Sequence, residues 1–188
     1  MTDADIIQSV LSGDKDAYAE LVRRHHVRVL AVCGHLLQIP SEAEDAAQDV
    51  FVLAYKRLSS FRGDSAFSTW MYRIATNYCL DLLRKRKREK SDSIDRLIEE
   101  KKDASLHTLH FESGPETVME RKDLVTRLLS RLNENERTIL ILREAEGFSY
   151  QEIAAILEIS IDAVKARLKR ARQSLQEKTR HLFKIENV

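Results

Sequence analysis

The stretch Ser149–Leu175, SYQEIAAILEISIDAVKARLKRARQSL, encodes two short amphipathic helices separated by a tight turn. Ser149 and Glu152 have the capping-box spacing, in which each side chain satisfies a backbone N–H that a helix start leaves unpaired. Ile153, Ile156 and Leu157 give the first helix one apolar stripe. Glu158-Ile159-Ser160 interrupts it, and Ser160 is suited to cap a second helix. There Ile161, Val164, Leu168, Ala171 and Leu175 recur at spacings of three and four, a stripe expected to face a core. Lys165, Arg167, Lys169, Arg170 and Arg172 lie outside that stripe, with no acid among them. The pattern is a helix-turn-helix whose second helix suits the major groove of DNA. A basic amphipathic helix taken alone is equally a solvated face, so the residues before it must decide.

Those residues continue the helical theme. Asn133 and Glu136 repeat the capping-box spacing at the head of an expected helix over 134–146, and Gly147 suits its end. A further helix is expected over 118–132, which completes a C-terminal domain at 116–188. Residues 91–115 mix charge, serine and scattered apolar residues before Gly114-Pro115, the composition of a flexible linker with room for a helical turn. Residues 1–90 read as four helices: 3–11, 16–37, one from Ser41 to about Ser59, and one from Ala66 to about Arg86. Ser41 and Glu44 offer another capping box after Pro40, and Gly63-Asp64-Ser65 forms the loop before the fourth helix. The expected fold is all-α, two small helical domains joined by a flexible linker.

Composition agrees and narrows the function classes. Five glycines and two prolines among 188 residues favour helices. The formal net charge is +1, so affinity for nucleic acid must come from segregated charge. Segregation is plain in the basic block RKRKREK at 84–90 and the acidic block EAEDAAQD at 42–49. Cys33 and Cys79 lack any CxxC spacing and have apolar neighbours, the pattern of buried free thiols in a reducing compartment. The six histidines show no metal-ligand pattern, and His25-His26 is expected on a helix surface; no metal or cofactor is expected. Without a signal-peptide pattern or a spanning apolar run, a cytoplasmic protein with no membrane insertion is expected.

Two constellations carry chemistry. In the fourth helix Phe67, Met71, Ile74, Tyr78 and Leu82 form one row, assigned to the core. Trp70, Arg73, Asn77, Asp81 and Arg84 form another, and the preceding FRGDSAF supplies Phe61, Arg62 and Phe67 around a small loop. Aromatics stack on unpaired bases, cations track phosphates, and an asparagine amide reads a base edge. The other reading, that Trp70 and the phenylalanines are plain core, is the commoner case for an aromatic on a helix. In the third helix Asp45, Gln48, Asp49 and Lys56 share an outer face, with Glu44 alongside. Acids near a helix N-terminus answer the helix dipole, or else offer a docking face to a basic partner. No Gly-rich phosphate loop, nucleophile elbow or metal cluster points to catalysis, so no enzyme is expected.

Two stretches together resemble bacterial sigma factors of the sigma-70 family, in the extracytoplasmic-function (ECF) group. They are SEAEDAAQDVFVLAYKRLSSFRGDSAFSTWMYRIATNYCLDLLRK at 41–85 and LNENERTILILREAEGFSYQEIAAILEISIDAVKARLKRAR at 132–172, in the family's order. The resemblance implies that 1–90 is region 2, 91–115 the linker and 116–188 region 4. It implies that Glu44, Asp45, Gln48, Asp49 and Phe51 dock on the β′ clamp helices of core RNA polymerase, and that region 4 meets the β flap. Phe61, Arg62, Asp64, Ser65, Phe67, Trp70, Arg73, Asn77 and Arg84 match the part that melts and reads the promoter −10 element. Asn77 there aligns with a base-contacting position, and Phe61–Phe67 with the loop that holds a flipped base. Lys165, Ala166, Arg167, Lys169 and Arg170 match the helix that reads the −35 element as duplex.

The implied function is promoter-specific transcription initiation by borrowed binding energy. Only open DNA fills the region 2 sites, so docking and duplex contacts favour melting by differential affinity. Two weak sites on one chain gain strength through effective concentration. A cognate anti-sigma factor, which many members have, is a further implied partner, although no residue pattern here points to one. The alternatives are a free-standing helix-turn-helix regulator that binds duplex DNA without polymerase, and a module whose basic helix binds an acidic protein. The first leaves the acidic helix and FRGDSAFSTW unexplained, and the second predicts little DNA affinity even at low salt.

Overall fold

The computed structural model describes residues 1–98, 128–129 and 131–180, which contain helices and turns and no strand. Helix α1 (Asp3–Leu11) opens on a capping box between Thr2 and Asp5 and buries Ile6, Ile7 and Val10. The Asp14 carboxylate caps a 3-10 turn at Lys15–Ala17, so α2 runs Tyr18–Leu37 and starts two residues later than the sequence suggests. Its buried face is Leu21, His25, Val29, Val32, Cys33, Leu36 and Leu37, a helical repeat. His25 is therefore not a surface residue: it lies against Phe67, and its Nε2 is 2.8 Å from an Asp3 carboxylate oxygen. His26 is exposed, as expected.

Helix α3 (Pro40–Arg57) corrects one capping assignment. Pro40 occupies the first turn and Ile39 is the cap residue without a side-chain bond, so the Ser41–Glu44 box does not form. Proline's fixed φ starts the helix one residue earlier, where its missing N–H costs nothing. Ala43, Ala46, Ala47 and Ala54 line the buried face of α3, with Val50 and Phe51. These small side chains suit close packing against α2 and α4. Helix α4 (Phe67–Ile98) is longer than expected and carries helix into the stretch read as linker. The rest of that stretch, and most of the helix expected over 118–132, lies outside the described residues.

The C-terminal unit holds α5 (Glu134–Leu140), α6 (Tyr150–Leu157) and α7 (Ile161–Thr179). The capping boxes Asn133–Glu136 and Ser149–Glu152 form, and Ser160 accepts from the Ala163 N–H. The helix expected over 134–146 instead loosens into a π turn at Ile141–Ala145, where the Glu146 N–H donates to the Ile141 carbonyl at 3.0 Å. Gly147 then takes a left-handed φ of 71°. This turn leads Phe148 inward, and its side chain is buried. Ile139, Leu142, Ile153, Ile156, Val164, Leu168 and Ala171 make the core of this unit. Ile161 departs from the expected stripe and is 40 % exposed.

The two units meet. Helix α6 packs along α4, and the π turn packs on α2, so the buried residues of both form one continuous cluster.

Candidate nucleic-acid interface

The residues expected to read DNA fall on two surfaces. On α7, Lys165, Ala166, Lys169 and Arg170 are exposed and Arg167 is half-buried. Val164, Leu168 and Ala171 are buried opposite them, which fixes which way the cations point. The outer face is less purely basic than its sequence suggests. Lys165 pairs with Asp162 at 3.1 Å, and Arg172 turns away to Glu144 at 2.7 Å. The Glu144 carboxylate beside it raises the Arg172 pKa, and both partners of this surface pair are exposed.

The second surface is the start of α4 and the loop before it. Phe61, Phe67 and Trp70 form one aromatic cluster, with ring centroids 5.5–5.6 Å apart. Phe67 and Trp70 are buried, so the row drawn through Trp70 and the row drawn through Phe67 both reach the core at this end. Of the two readings that spacing left open for these aromatics, packing supports the core one, and the cluster holds the loop in place. Arg62, Asp64 and Asn77 are exposed, while Phe61, Ser65 and Arg73 are half-buried. Arg84 is also exposed and pairs with Asp81 at 3.0 Å. Farther along α4, Tyr78 and Leu82 are partly buried.

A third surface lies on α3. Glu44, Asp45, Gln48 and Asp49 are exposed, and Phe51 is buried. Asp49 accepts a hydrogen bond from the Tyr78 hydroxyl, and that carboxylate pushes the phenol up to about 12. Beside these acids runs an apolar groove of about 550 Å³ lined by Tyr18, Val22, Phe51, Val52 and Tyr55. Tyr18 donates to the Phe51 carbonyl at 2.8 Å, and burial raises its phenol pKa. The sequence reading did not single out this groove. Its signal was present in Val52 and Tyr55, large apolar residues outside the buried stripe of α3 that are 50 % and 38 % exposed.

The sequence reading also missed the seam between the units. The Glu146 carboxylate, 5 % exposed, lies 2.6 Å from His35 Nδ1 and 3.9 Å from Arg28 Nε. Arg28 also donates to the Glu146 carbonyl, and its guanidinium sits 4.7 Å from the Phe148 ring centroid. Phe148 packs on Tyr72 with centroids 5.1 Å apart. Arg73 pairs with Glu158 at 3.0 Å, and Arg84 reaches Glu134 at 3.3 Å. Each pair joins residues that lie far apart in sequence, so no spacing announces them.

Among the described residues no cluster of histidine, cysteine, aspartate and glutamate is arranged to hold a metal. Cys33 and Cys79 are free and buried, and the Cys79 thiol is pushed up by its hydrogen bond with Cys33 and by burial. None of the described helices is long and apolar enough to cross a membrane.

Comparison with known proteins covers both units. A family described as Sigma-70 region 2 matches residues 21–89, and one described as Sigma-70, region 4 matches 122–175. The RNA polymerase sigma-H factor of Pseudomonas aeruginosa is 35 % identical over 185 residues, 97 % of this chain and 96 % of that protein. The ECF RNA polymerase sigma-E factor of Escherichia coli K12 is 36 % identical over 189 residues, 98 % of this chain and 97 % of that one. Among solved structures, CnrH in complex with the cytosolic domain of CnrY matches with a TM-score of 0.66 and 28 % identity, covering 95 % of this chain and 97 % of that chain. The sigma factor RpoE of Bartonella quintana, in complex with the anti-sigma factor NepR, matches at 0.64 and 28 %, covering 85 % and 94 %.

Proposed function

Because the chain belongs to the sigma-70 family of RNA polymerase sigma factors, in the ECF group, we propose that it docks on core polymerase through α3 and reads promoters with α4 and α7. The observation that carries the division of labour is segregated charge. Acids stand exposed on α3 and cations on α7, in a chain whose formal net charge is +1. The division into region 2 (1–90), linker (91–115) and region 4 (116–188) is supported by family matches at 21–89 and 122–175.

Each step uses groups of this chain. Glu44, Asp45, Gln48 and Asp49 meet the β′ clamp helices, and the neighbouring groove with Phe51, Val52 and Tyr55 takes apolar side chains that come with them. The β flap takes region 4. Lys165, Arg167, Lys169 and Arg170 then engage the duplex −35 element; phosphate contacts set the register, and base contacts beside Ala166 set the sequence. When the duplex opens, Asn77 offers both a donor and an acceptor to an exposed base edge. Arg62, Arg73 and Arg84 take phosphates. Asp64 and Ser65 line the loop that holds a flipped base, and the core cluster of Phe61, Phe67 and Trp70 holds that loop in place. Extrusion of a base costs a few kcal/mol, which this pocket must recover. The protein makes and breaks no bond and needs no cofactor; melting follows from preferential binding of the open form. It acts in the cytoplasm, where polymerase is. The Bartonella quintana relative was captured with an anti-sigma factor, which supports a cognate anti-sigma factor here.

The assignment separates two variants. Asn77→Ala should lower open-complex formation at a cognate promoter about tenfold, the worth of one good base contact, with holoenzyme assembly unchanged. Asp49→Ala should instead weaken holoenzyme assembly in a binding assay with core polymerase. Loss of duplex affinity alone in both variants would refute the division.

A further inference from the structure

We propose that Asp162, with Lys165 beside it, selects one cytosine–guanine pair in the −35 element. The proposal rests on reading α7 as the −35 helix. The stretch from Ile161 to Arg172, IDAVKARLKRAR, holds five cations and a single acid, Asp162. That carboxylate is 92 % exposed and stands in the first turn of α7. Ala166, Lys169 and Arg170 follow it at spacings of four, seven and eight, which puts all four on one face of the helix. Val164, Leu168 and Ala171 are buried on the opposite side. Asp162 therefore faces the duplex whenever Lys169 and Arg170 do.

An acid in the first turn answers the helix dipole, but on this face the same charge works against binding. Recognition helices of this motif bring their N-terminal residues to the base edges of the major groove. A carboxylate carried there is repelled by the phosphates on either side. It also gives up water without a partner unless a base offers it a donor. On the major-groove edges two groups can donate, the N4 amine of cytosine and the N6 amine of adenine.

Lys165 decides between them. Its Nζ lies 3.1 Å from an Asp162 carboxylate oxygen, so α7 presents a donor and an acceptor side by side, about one hydrogen-bond length apart. A G·C pair presents the matching partners at a similar separation, because guanine O6 and cytosine N4 are joined by their own Watson–Crick bond. Guanine N7 lies next to O6, so the ammonium meets two acceptors while Asp162 takes the outward N4 hydrogen. On an A·T pair the N6 amine stands between the acceptors N7 and O4, and an ammonium beside Asp162 reaches only one of them. The Asp162–Lys165 pair is a surface pair, so it contributes little to the fold and can open onto a base pair at little loss.

The test uses holoenzyme reconstituted from the full chain and core polymerase, with a promoter library randomised in the −35 segment and the bound molecules sequenced. Ser160, not Asp162, caps α7, so Asp162→Ala spares the helix. Wild type should favour a C·G pair at one −35 position. Asp162→Ala should weaken that preference at least about fivefold and leave the other positions unchanged, as loss of one good base contact does. A second measurement leaves the protein untouched. N4-methylcytosine at that position keeps its Watson–Crick pairing and loses the outward hydrogen. Wild type should bind this promoter about fivefold more weakly than the plain one, and Asp162→Ala should not tell the two apart. Tighter binding of every sequence by Asp162→Ala, with the preference unchanged, would overturn the base contact and leave Asp162 a repulsive charge only. A preference for adenine at the affected position would overturn the cytosine assignment. Selectivity absent from the −35 segment in wild type would instead bring down the −35 reading of α7, and this proposal with it.

Discussion

At the scale of single residues, Asp49 joins the fold to the proposed polymerase contact. Its carboxylate accepts the Tyr78 hydroxyl from α4, so one side chain both ties α3 to α4 and stands exposed for docking. The phenol is pushed up to about 12, from an ordinary value of about 10. A raised folded pKa favours the protonated form, so this bond contributes stability below about pH 10 that is lost as pH rises through the folded value. Asp49→Ala should bring the Tyr78 titration back toward about 10, read by ultraviolet difference absorbance. An unchanged titration would show that burial, not Asp49, holds the phenol. Tyr78→Phe separates the two roles, because it removes the bond and leaves the carboxylate free to dock. Holoenzyme assembly should survive Tyr78→Phe and weaken in Asp49→Ala.

At the scale of elements, local signals were legible where side chain and backbone lie within one turn. The boxes Asn133–Glu136 and Ser149–Glu152, the Ser160 cap and, apart from the exposed Ile161, the buried stripe of α7 formed as read. Where two local signals competed, the sequence misled. Pro40 and Ser41 both mark a helix start, and the proline's fixed φ prevailed. The π turn had no signal at all, since Ile141–Ala145 has ordinary helix formers and loosens to carry Glu146 and Phe148 toward α2. Of the site, the cations of α7 and the acids of α3 were legible because their faces follow from helical periodicity. The burial of Trp70 and the pairing of Arg73 were not, because both depend on what packs against α4. Helix α7 makes its own prediction. Lys169 is exposed and lacks the acid partner that Lys165 and Arg172 have among the described contacts. Lys169→Ala should reduce the slope of log affinity against log salt for duplex DNA by about one if it holds a phosphate. An unchanged slope with altered sequence preference would make it a base reader.

At the scale of the whole molecule, two weakly binding units on one chain are useful only if something sets their spacing. The packing of α6 along α4 brings the helix-turn-helix against the surface proposed to read the −10 element. Core polymerase, which binds both units in the proposed function, is the body that would hold them at promoter spacing. The central claim is therefore that this chain acts through polymerase and not as a free regulator. Co-purification with bacterial core RNA polymerase, followed by run-off transcription from a genomic fragment library, tests it most directly. The account predicts a stable complex and transcripts from a discrete set of promoters sharing paired −35 and −10 sequences. Failure to associate with core, with duplex DNA still bound by the chain alone, would contradict it and leave a free-standing helix-turn-helix regulator.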